Sequence, residues 1–354
     1  NRYFVTRVSD ANGDLSYSVV SQTNEEVARA RGSADGELEV VRYLHDGAGR
    51  LTHVLPPMGV AALHRGDPQA ERWATRYAYD FSGRMVEETT PDSGTSRFVH
   101  DPLGNTRFAQ DAQSAADGHV LYTKYDGRGR ILEEGYFEGT WDRPRLLAAA
   151  NTEPGWPDAG QPHTVRVRHD YDGGGGDGDD PTAWGRLTRT RVYDAAGAVT
   201  TEQTFRYDAR GRLAGLAQSN PSFDDGSREV TYGYDGLGAV TRIGYPDGGG
   251  VPEVIRSYDS LGQLAGVGVP GDPAGFISYR YDAAGGVVGA RQPLDAGVGA
   301  LERTSTYTPA GWPETTRFQL PGGREVFGQE LSYTGDGAGG SAYFDGKIAA
   351  SRIT

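Results

Sequence analysis

Residues 207–216 read YDARGRLAGL, and the same frame returns in YDGRGRIL (125–132), YDGLGAVTRI (234–243), YDSLGQLAGV (258–267) and YDAAGGVVGA (281–290). Each copy has Tyr-Asp, two variable residues, Gly, one variable residue and then an aliphatic residue. Eight of the 20 tyrosines are followed directly by Asp, at positions 79, 125, 171, 193, 207, 234, 258 and 281. The copies recur mostly about 20 to 25 residues apart, the range expected of stacked supersecondary units. The chain is therefore built from repeats.

Side chains alternate in the segment before each Tyr-Asp pair. In VTTEQTFRYD (199–208), Thr201, Gln203, Phe205 and Tyr207 fall on one side of an extended segment. This pattern predicts a strand that runs into the Tyr. Asp would cap the following turn, with its carboxylate available to backbone N–H groups two or three residues further on. Gly would supply the positive φ that ends the turn.

Each repeat is thus predicted to be a β-hairpin. One hairpin cannot bury its apolar face alone, so adjacent hairpins must join edge to edge. With 53 Gly, 19 Pro and 10% aromatic residues, the chain favours short strands and tight turns over helices or disorder. The fold class is all-β. The structural repeat positions are Tyr79, Asp80, Gly83, Tyr125, Asp126, Gly129, Tyr193, Asp194, Gly197, Tyr207, Asp208, Gly211, Tyr234, Asp235, Gly238, Tyr258, Asp259, Gly262, Tyr281, Asp282 and Gly285.

The domain organisation follows from the same pattern. Residues 1–354 are interpreted as a single YD/RHS-repeat region and as a fragment of a longer chain. Flexible loops are expected at about 110–119, 141–163 and 173–181, with one helical turn at 145–150 in the second of them.

Composition excludes several classes of function. The net charge of −13 disfavours a phosphate-binding surface, so no nucleic-acid partner is predicted. The absence of Cys excludes disulfides and thiolate metal sites. No apolar run reaches the roughly 18 residues of a transmembrane helix, so no membrane span is predicted in this segment. No cofactor is predicted.

The repeated frame, the Thr- and Arg-rich strands and the closing LSYTGD…AYFDGKIAASRIT (331–354) resemble the RHS/YD-repeat family. That family includes bacterial polymorphic toxins, the cocoon-forming components of Tc toxins and animal teneurins. The resemblance covers about residues 40 to 354. It implies hairpins joined in a curved spiral sheet that forms part of a hollow shell, which in bacterial members encloses a toxic C-terminal domain. The aspartyl self-cleavage segment found in many members is not recognisable, so no catalytic residue is carried over.

The resemblance implies a non-catalytic structural wall. It would enclose or present a toxin or effector domain of a secreted bacterial protein. Its partners would be flanking parts of the same polypeptide and the enclosed domain, and its location would be secreted or at the cell surface. The alternative is an extracellular stalk for cell-surface adhesion or glycan binding, with a cell-surface receptor or glycan as its partner.

The repeated polar residues admit both chemical and structural roles. Repeated Asp residues could be catalytic or metal-binding, but one active site does not need many near-identical copies, which favours a turn cap. Repeated Tyr residues could stack on glycans, but a half-buried sheet aromatic with a bonded hydroxyl is favoured. Asp170, Asp172, Asp177 and Asp179 are weak candidates for a calcium loop, in which the EF-hand order of ligands is absent; a solvated acidic loop is favoured.

Two further patterns point to strand geometry rather than to catalysis. His45 and His100 occupy equivalent places in degenerate repeats, two residues after an aromatic, which indicates a strand position. The carboxylate pairs at 87–88 and 133–134 invite a glycosidase interpretation. They recur at one place after a repeat's turn, which again favours a structural role, so no enzyme is predicted.

Overall fold

The computed structural model describes residues 3–9, 14–33, 38–173, 181–221, 226–246, 253–294, 299–333, 348 and 350–354. The chain divides into two compact units, one made of residues 1–170 and 190–200 and the other of residues 171–189 and 201–354.

The strands are numbered in chain order. The first unit contains β1 (Phe4–Ser9), β2 (Asp14–Val20), β3 (Glu26–Ser33), β4 (Glu39–His45), β5 (Leu51–Leu55), β6 (Thr75–Tyr79), β7 (Met85–Thr90), β8 (Gly94–His100), β9 (Thr106–Gln110), β10 (His119–Tyr125) and β11 (Ile131–Glu138). Three strands contribute residues to both units: β12 (Thr164–Tyr171), β13 (Leu187–Tyr193) and β14 (Val199–Tyr207). The second unit contains β15 (Leu213–Ser219), β16 (Ser227–Tyr234), β17 (Val240–Gly244), β18 (Glu253–Tyr258), β19 (Leu264–Val269), β20 (Asp272–Tyr281), β21 (Val287–Pro293), β22 (Ala300–Tyr307), β23 (Pro313–Leu320), β24 (Arg324–Ser332) and β25 (Ala350–Ile353).

Strand pairing follows chain order within each unit. From β1 to β12 every strand pairs antiparallel with the next one along the chain. The same holds from β14 to β25. The prediction of an all-β fold made of consecutive hairpins joined edge to edge is confirmed in each unit. The spiral hollow shell remains a prediction.

A β-bulge follows six of the Tyr-Asp turns. Between β14 and β15, Arg206 lies opposite Gly215 but Tyr207 lies opposite Leu213. The second strand therefore has one extra residue, Ala214, at this point. The register shifts in the same place in the hairpins that contain Tyr79, Tyr125, Tyr234, Tyr258, Tyr281 and Tyr307. An extra residue raises the local twist and redirects the strand. The turn and the bulge therefore form one recurring unit of backbone geometry.

The first unit also contains helices, which correct two loop predictions. Residues 110–119, predicted to be a flexible loop, contain α2 (Ala112–Ala116), whose N-cap Asp111 accepts a 2.7 Å hydrogen bond from the Ser114 N–H. Residues 141–163 contain α3 (Arg143–Thr152), which is longer than the single helical turn predicted. Asp142 caps α3, and Pro144 suits its first turn because proline lacks the N–H that would be unpaired there.

Packing explains why the segment around α3 is ordered. Leu146 and Ala149 of α3 are buried in a cluster with Phe108, Val120 and Phe137 of the sheet. Apolar burial of this kind offsets the entropy of ordering a long connection. A further helix, α1 (Pro57–His64), packs against β4 and β5. No helix in the described ranges has both the length and the apolar character needed to cross a membrane.

The second unit is sheet with little core. Among its described residues, Ile243 and Tyr333 are the large apolar side chains that fall in the buried class. Most side chains of β14 to β24 are half-buried against their neighbours in the same sheet. Its stability must therefore come largely from contacts along the sheet, and these contacts recur from repeat to repeat.

Candidate functional site

The recurring site of the molecule is the Tyr-Asp turn. In the turn that begins at Asp208, one carboxylate oxygen accepts 2.9 Å hydrogen bonds from the N–H groups of Arg210 and Arg212. The Asp208 N–H donates to the Arg212 carbonyl, and the Gly211 N–H donates to the Asp208 carbonyl. Equivalent carboxylate bonds are made by Asp46, Asp80, Asp101, Asp126, Asp194, Asp235, Asp259 and Asp282.

The carboxylate thus reaches the second and fourth residues after Asp rather than the second and third. The third residue is the Gly, and its N–H bonds to the Asp carbonyl instead. The glycines three residues after the Asp have φ between 75° and 96°, a region in which a Cβ is strained. In the turn at 208–212, four of the five backbone N–H groups are therefore bonded within the turn itself.

Six of the tyrosines that precede an Asp bond to the preceding hairpin. The hydroxyl of Tyr234 donates a 2.7 Å hydrogen bond to the carbonyl of Leu213, and that of Tyr258 donates a 2.8 Å bond to the carbonyl of Val240. In both cases the acceptor lies five residues after the Asp of the preceding turn. We call the place directly before the Asp the tyrosine position. A hydroxyl bond to the start of the preceding hairpin's second strand is also made by Tyr79, Tyr125, Tyr207, Tyr281, Tyr307 and Tyr333.

A second bond between hairpins is made by arginine. Arg212 follows the turn glycine; its Nε donates a 2.7 Å bond to the Asp208 carboxylate, and its Nη1 donates a 3.1 Å bond to the carbonyl of Asp235 in the next turn. Its guanidinium also lies 4.3 Å from the centre of the Tyr234 ring. One side chain thus ties its own turn to the next repeat's Asp and Tyr.

Other turns repeat this arrangement. We call the place four residues after the Asp the arginine position. Arg50 and Arg84 reach the carbonyls of Asp80 and Asp101 at 2.9 and 2.7 Å. For Asp80, burial alone would raise the pKa, but the hydrogen bonds from Arg84 outweigh it and hold that pKa below its ordinary value.

Sequence reasoning treated the arginine position as a variable residue and so missed this role. A signal was present, because Gly-Arg recurs at 49–50, 83–84, 129–130 and 211–212. Other turns have Asn, Ala, Gln, Gly or Trp there, which hid the pattern. The Tyr-Asp pattern also missed two tyrosines that make the hydroxyl bond to the preceding hairpin, since neither Tyr307 nor Tyr333 is followed by Asp.

The two weak metal candidates within the described residues, Asp170 and Asp172, are each engaged by other groups. Asp170 forms an ion pair with Arg191 at 2.6 Å, and Asp172 accepts a hydrogen bond from the Gly185 N–H at 2.5 Å. Asp177 and Asp179 lie outside the described residues. Within the described residues, no three His, Asp or Glu side chains are grouped as metal ligands would be.

The carboxylate pair at 133–134 is separated by the sheet. Glu133 is buried and accepts bonds from Lys124 at 2.7 Å, Arg168 at 2.5 Å and the Tyr122 hydroxyl at 3.0 Å. Burial alone would raise the pKa of Glu133, but the bonds from Lys124 and Arg168 lower it to about 2. A carboxylate held so firmly ionised between two cations is suited to an ion pair rather than to proton transfer.

Arg107 joins the same region to the segment after α3. Its buried guanidinium donates to the carbonyls of Thr123, Pro154 and Trp156. Burial lowers its pKa. Arg107 thus anchors the helical insertion to the sheet through three backbone acceptors.

Together these features define a class: a hairpin-repeat β protein whose turns are capped by Asp and whose neighbouring hairpins are joined by Tyr and Arg. The chain is similar in fold to the Tc holotoxin pore of Photorhabdus luminescens, with a TM-score of 0.69 and 15% identity over 98% of this chain. It is also similar to two TcdB2-TccC3 structures, with TM-scores of 0.65 and 0.59 and 15% identity over 90% of this chain. It spans 15% of the length of each of these chains. No protein-family model and no curated protein matches the sequence.

Proposed function

We propose that this chain is a non-catalytic wall segment of an RHS-type shell, which encloses or presents a toxin or effector domain of a secreted bacterial protein. Support comes from the similarity in fold to Tc toxin chains over nearly the whole of its length. The partners are the flanking parts of the same polypeptide and the enclosed domain, and the location is secreted or at the cell surface.

The observation that carries the proposal is the repeated joining of hairpins. Tyr and Arg form the same two bonds from one hairpin to the next, as Tyr234 and Arg212 do. A join that uses only neighbouring repeats can be extended by adding repeats, because each unit contacts only its neighbours. Such a sheet gains area without needing a larger core, which is what a wall requires.

The non-catalytic part of the proposal rests on how the polar residues are used. The Asp of each turn is engaged by N–H groups of its own turn, and Glu133 is engaged by two cations and a hydroxyl. Groups committed in this way are poorly placed to act on a substrate, since an acid or base must reach the proton it transfers.

Electron microscopy of the parent protein from which the chain comes tests the proposal. If the chain is a wall segment, we expect a closed envelope with a lumen large enough for a folded domain. The density of these repeats should then form part of the wall of that envelope. A solid or narrow rod with a free outer surface would contradict it and would favour the adhesion or glycan-binding stalk. A glycan-binding screen with the same protein separates the two, because a wall predicts no binding above that of an unrelated β protein.

A further inference from the structure

His100 stands at the tyrosine position of its hairpin, directly before Asp101. By the spacing of the other repeats, a Tyr there would donate to the backbone oxygen five residues after Asp80, which belongs to Met85. Imidazole lacks the reach and the hydroxyl of tyrosine. Its Nδ1 is buried and has no hydrogen-bond partner among the described residues. The hydroxyl bond that Tyr makes to the preceding hairpin elsewhere is therefore missing here.

The charged groups around His100 come from two turns. Arg84 of the preceding turn donates to the Asp80 carboxylate at 2.7 Å and to the Asp101 carbonyl at 2.7 Å. Asp80 and Asp101 also act electrostatically on the imidazole. On β9, the residue opposite His100 is Thr106, which is uncharged. The guanidinium of Arg84 is thus the nearby cation, and both neighbouring carboxylates are already engaged with their own turns.

We propose that His100 is an acid-sensitive joint between the turn at 80–84 and the hairpin of β8 and β9. Protonation would place a cation in a partly buried position beside Arg84, where no free acceptor is described. Buried charge without a partner is costly, so the join loosens when the ring gains a proton. A Tyr or Phe at this position carries no such charge, and the joins that Tyr makes are indifferent to mild acid.

The direction of the pH effect follows from linkage. Burial, and after it Arg84, lowers the pKa of His100 from its ordinary value of 6.5, against smaller opposing effects of Asp80 and Asp101. The unfolded or opened chain therefore binds the proton more readily. The contribution to stability is complete above pH 6.5 and is lost as the pH falls from 6.5 through the lower value in the folded chain.

The test uses the whole 354-residue chain. NMR titration of the imidazole Cε1–H signal, assigned by its loss in His100→Gln, should give a pKa below the ordinary imidazole value of 6.5. Hydrogen exchange of amides in residues 80–84 and 100–106, corrected for intrinsic rates, should rise severalfold between pH 7.5 and pH 5. In His100→Tyr and His100→Phe this excess should vanish, and in the matched control His64→Gln it should persist.

Several outcomes would overturn the proposal. One is a His100 signal that titrates at or above the ordinary value of 6.5. Another is an unchanged acid-dependent exchange in both His100→Tyr and His100→Phe. If the Tyr ring does not fit, the Phe variant alone decides, since it removes the titrating group without requiring a new bond. The experiment does not depend on the proposed function, because it measures the joint in this chain alone.

Discussion

The hydroxyl of Tyr234 donates a 2.7 Å hydrogen bond to the carbonyl of Leu213, the residue that begins the second strand of the preceding hairpin. The bond crosses from one repeat to the previous one, and Arg212 lies over the same ring at 4.3 Å. Because seven other tyrosines make the equivalent bond, this pair is the most informative place to test how the sheet is held together.

Removing the Tyr234 hydroxyl should weaken the join between hairpins. Tyr234→Phe keeps the ring but leaves the Leu213 carbonyl without its donor, and we expect the free energy of unfolding to fall by about 1 kcal/mol. Urea denaturation followed by far-UV circular dichroism measures this. Tyr232→Phe, on the same strand, is the matched control. Equal effects of both variants would show that the hydroxyl bond contributes nothing of its own.

Replacing Arg212 by Lys should cost stability although the charge is kept. Lysine cannot donate from two fixed directions to the Asp208 carboxylate and the Asp235 carbonyl, nor stack its charge over Tyr234 in the same way. We expect a loss of about 1 kcal/mol. Arg128→Lys, at an exposed place in another turn, should change the unfolding free energy little. If Arg212→Lys left the free energy of unfolding unchanged, the positive charge alone would account for the stabilising effect of the arginine position.

The glycines three residues after the turn Asp should differ sharply from glycines at other places in these turns. Gly262 has a φ of 78° with open space around it, so Gly262→Ala should cost about 1 kcal/mol through backbone strain alone. Gly236 also has open space but is not in the left-handed region, so Gly236→Ala should be neutral or slightly stabilising. Thermal and urea unfolding of both variants measure the contrast. Similar behaviour of the two variants would contradict the strain argument.

Acid should weaken the first unit through Glu133. The pKa of Glu133 is lowered to about 2 in the folded chain, from an ordinary value of 4.5. Its contribution is present above pH 4.5 and is lost as the pH falls from 4.5 toward 2, and it is on the order of 3 kcal/mol. Urea unfolding at a series of pH values measures it.

The matched variants for this prediction are neighbours on β11. Glu133→Gln should lower stability at neutral pH, because Lys124 and Arg168 lose their ionised acceptor, and should flatten the acid dependence below pH 4.5. Glu134→Gln, whose side chain is far more exposed, should leave the acid dependence unchanged. If the two variants gave the same pH profile, the lowered pKa of Glu133 would not be the source.

Much of the fold could be predicted from local pattern. Alternation before residues such as Tyr207 indicated the strands, and Asp and Gly at fixed places indicated the turns, because turn chemistry acts over a few residues. The sequence pattern predicted only one helical turn at 145–150, whereas α3 spans Arg143–Thr152. Asp142 and Pro144 are local helix signals, but the burial of Leu146 against Phe108 and Phe137 depends on strands distant in sequence.

The joins between hairpins were harder to predict for the same reason. The acceptor of each Tyr hydroxyl is a backbone oxygen about 20 residues away, and a backbone oxygen has no sequence signature. Arg212 could be recognised only after the next turn's Asp235 carbonyl was located. The sequence placed His100 at a strand position. It gave no indication that the Nδ1 of this residue would be buried without a hydrogen-bond partner in the described part of the chain.

By itself the sequence determined which segments are strands, where the chain turns and which residues cap those turns. These are local matters, decided by backbone sterics and by side chains that reach only a few residues along the chain. Tertiary structure alone decided which carbonyl each Tyr and Arg reaches, where α3 is buried and which charged side chains surround Glu133. Those contacts arise only when distant strands lie about 5 Å apart in a defined register, and register is a property of the assembled sheet.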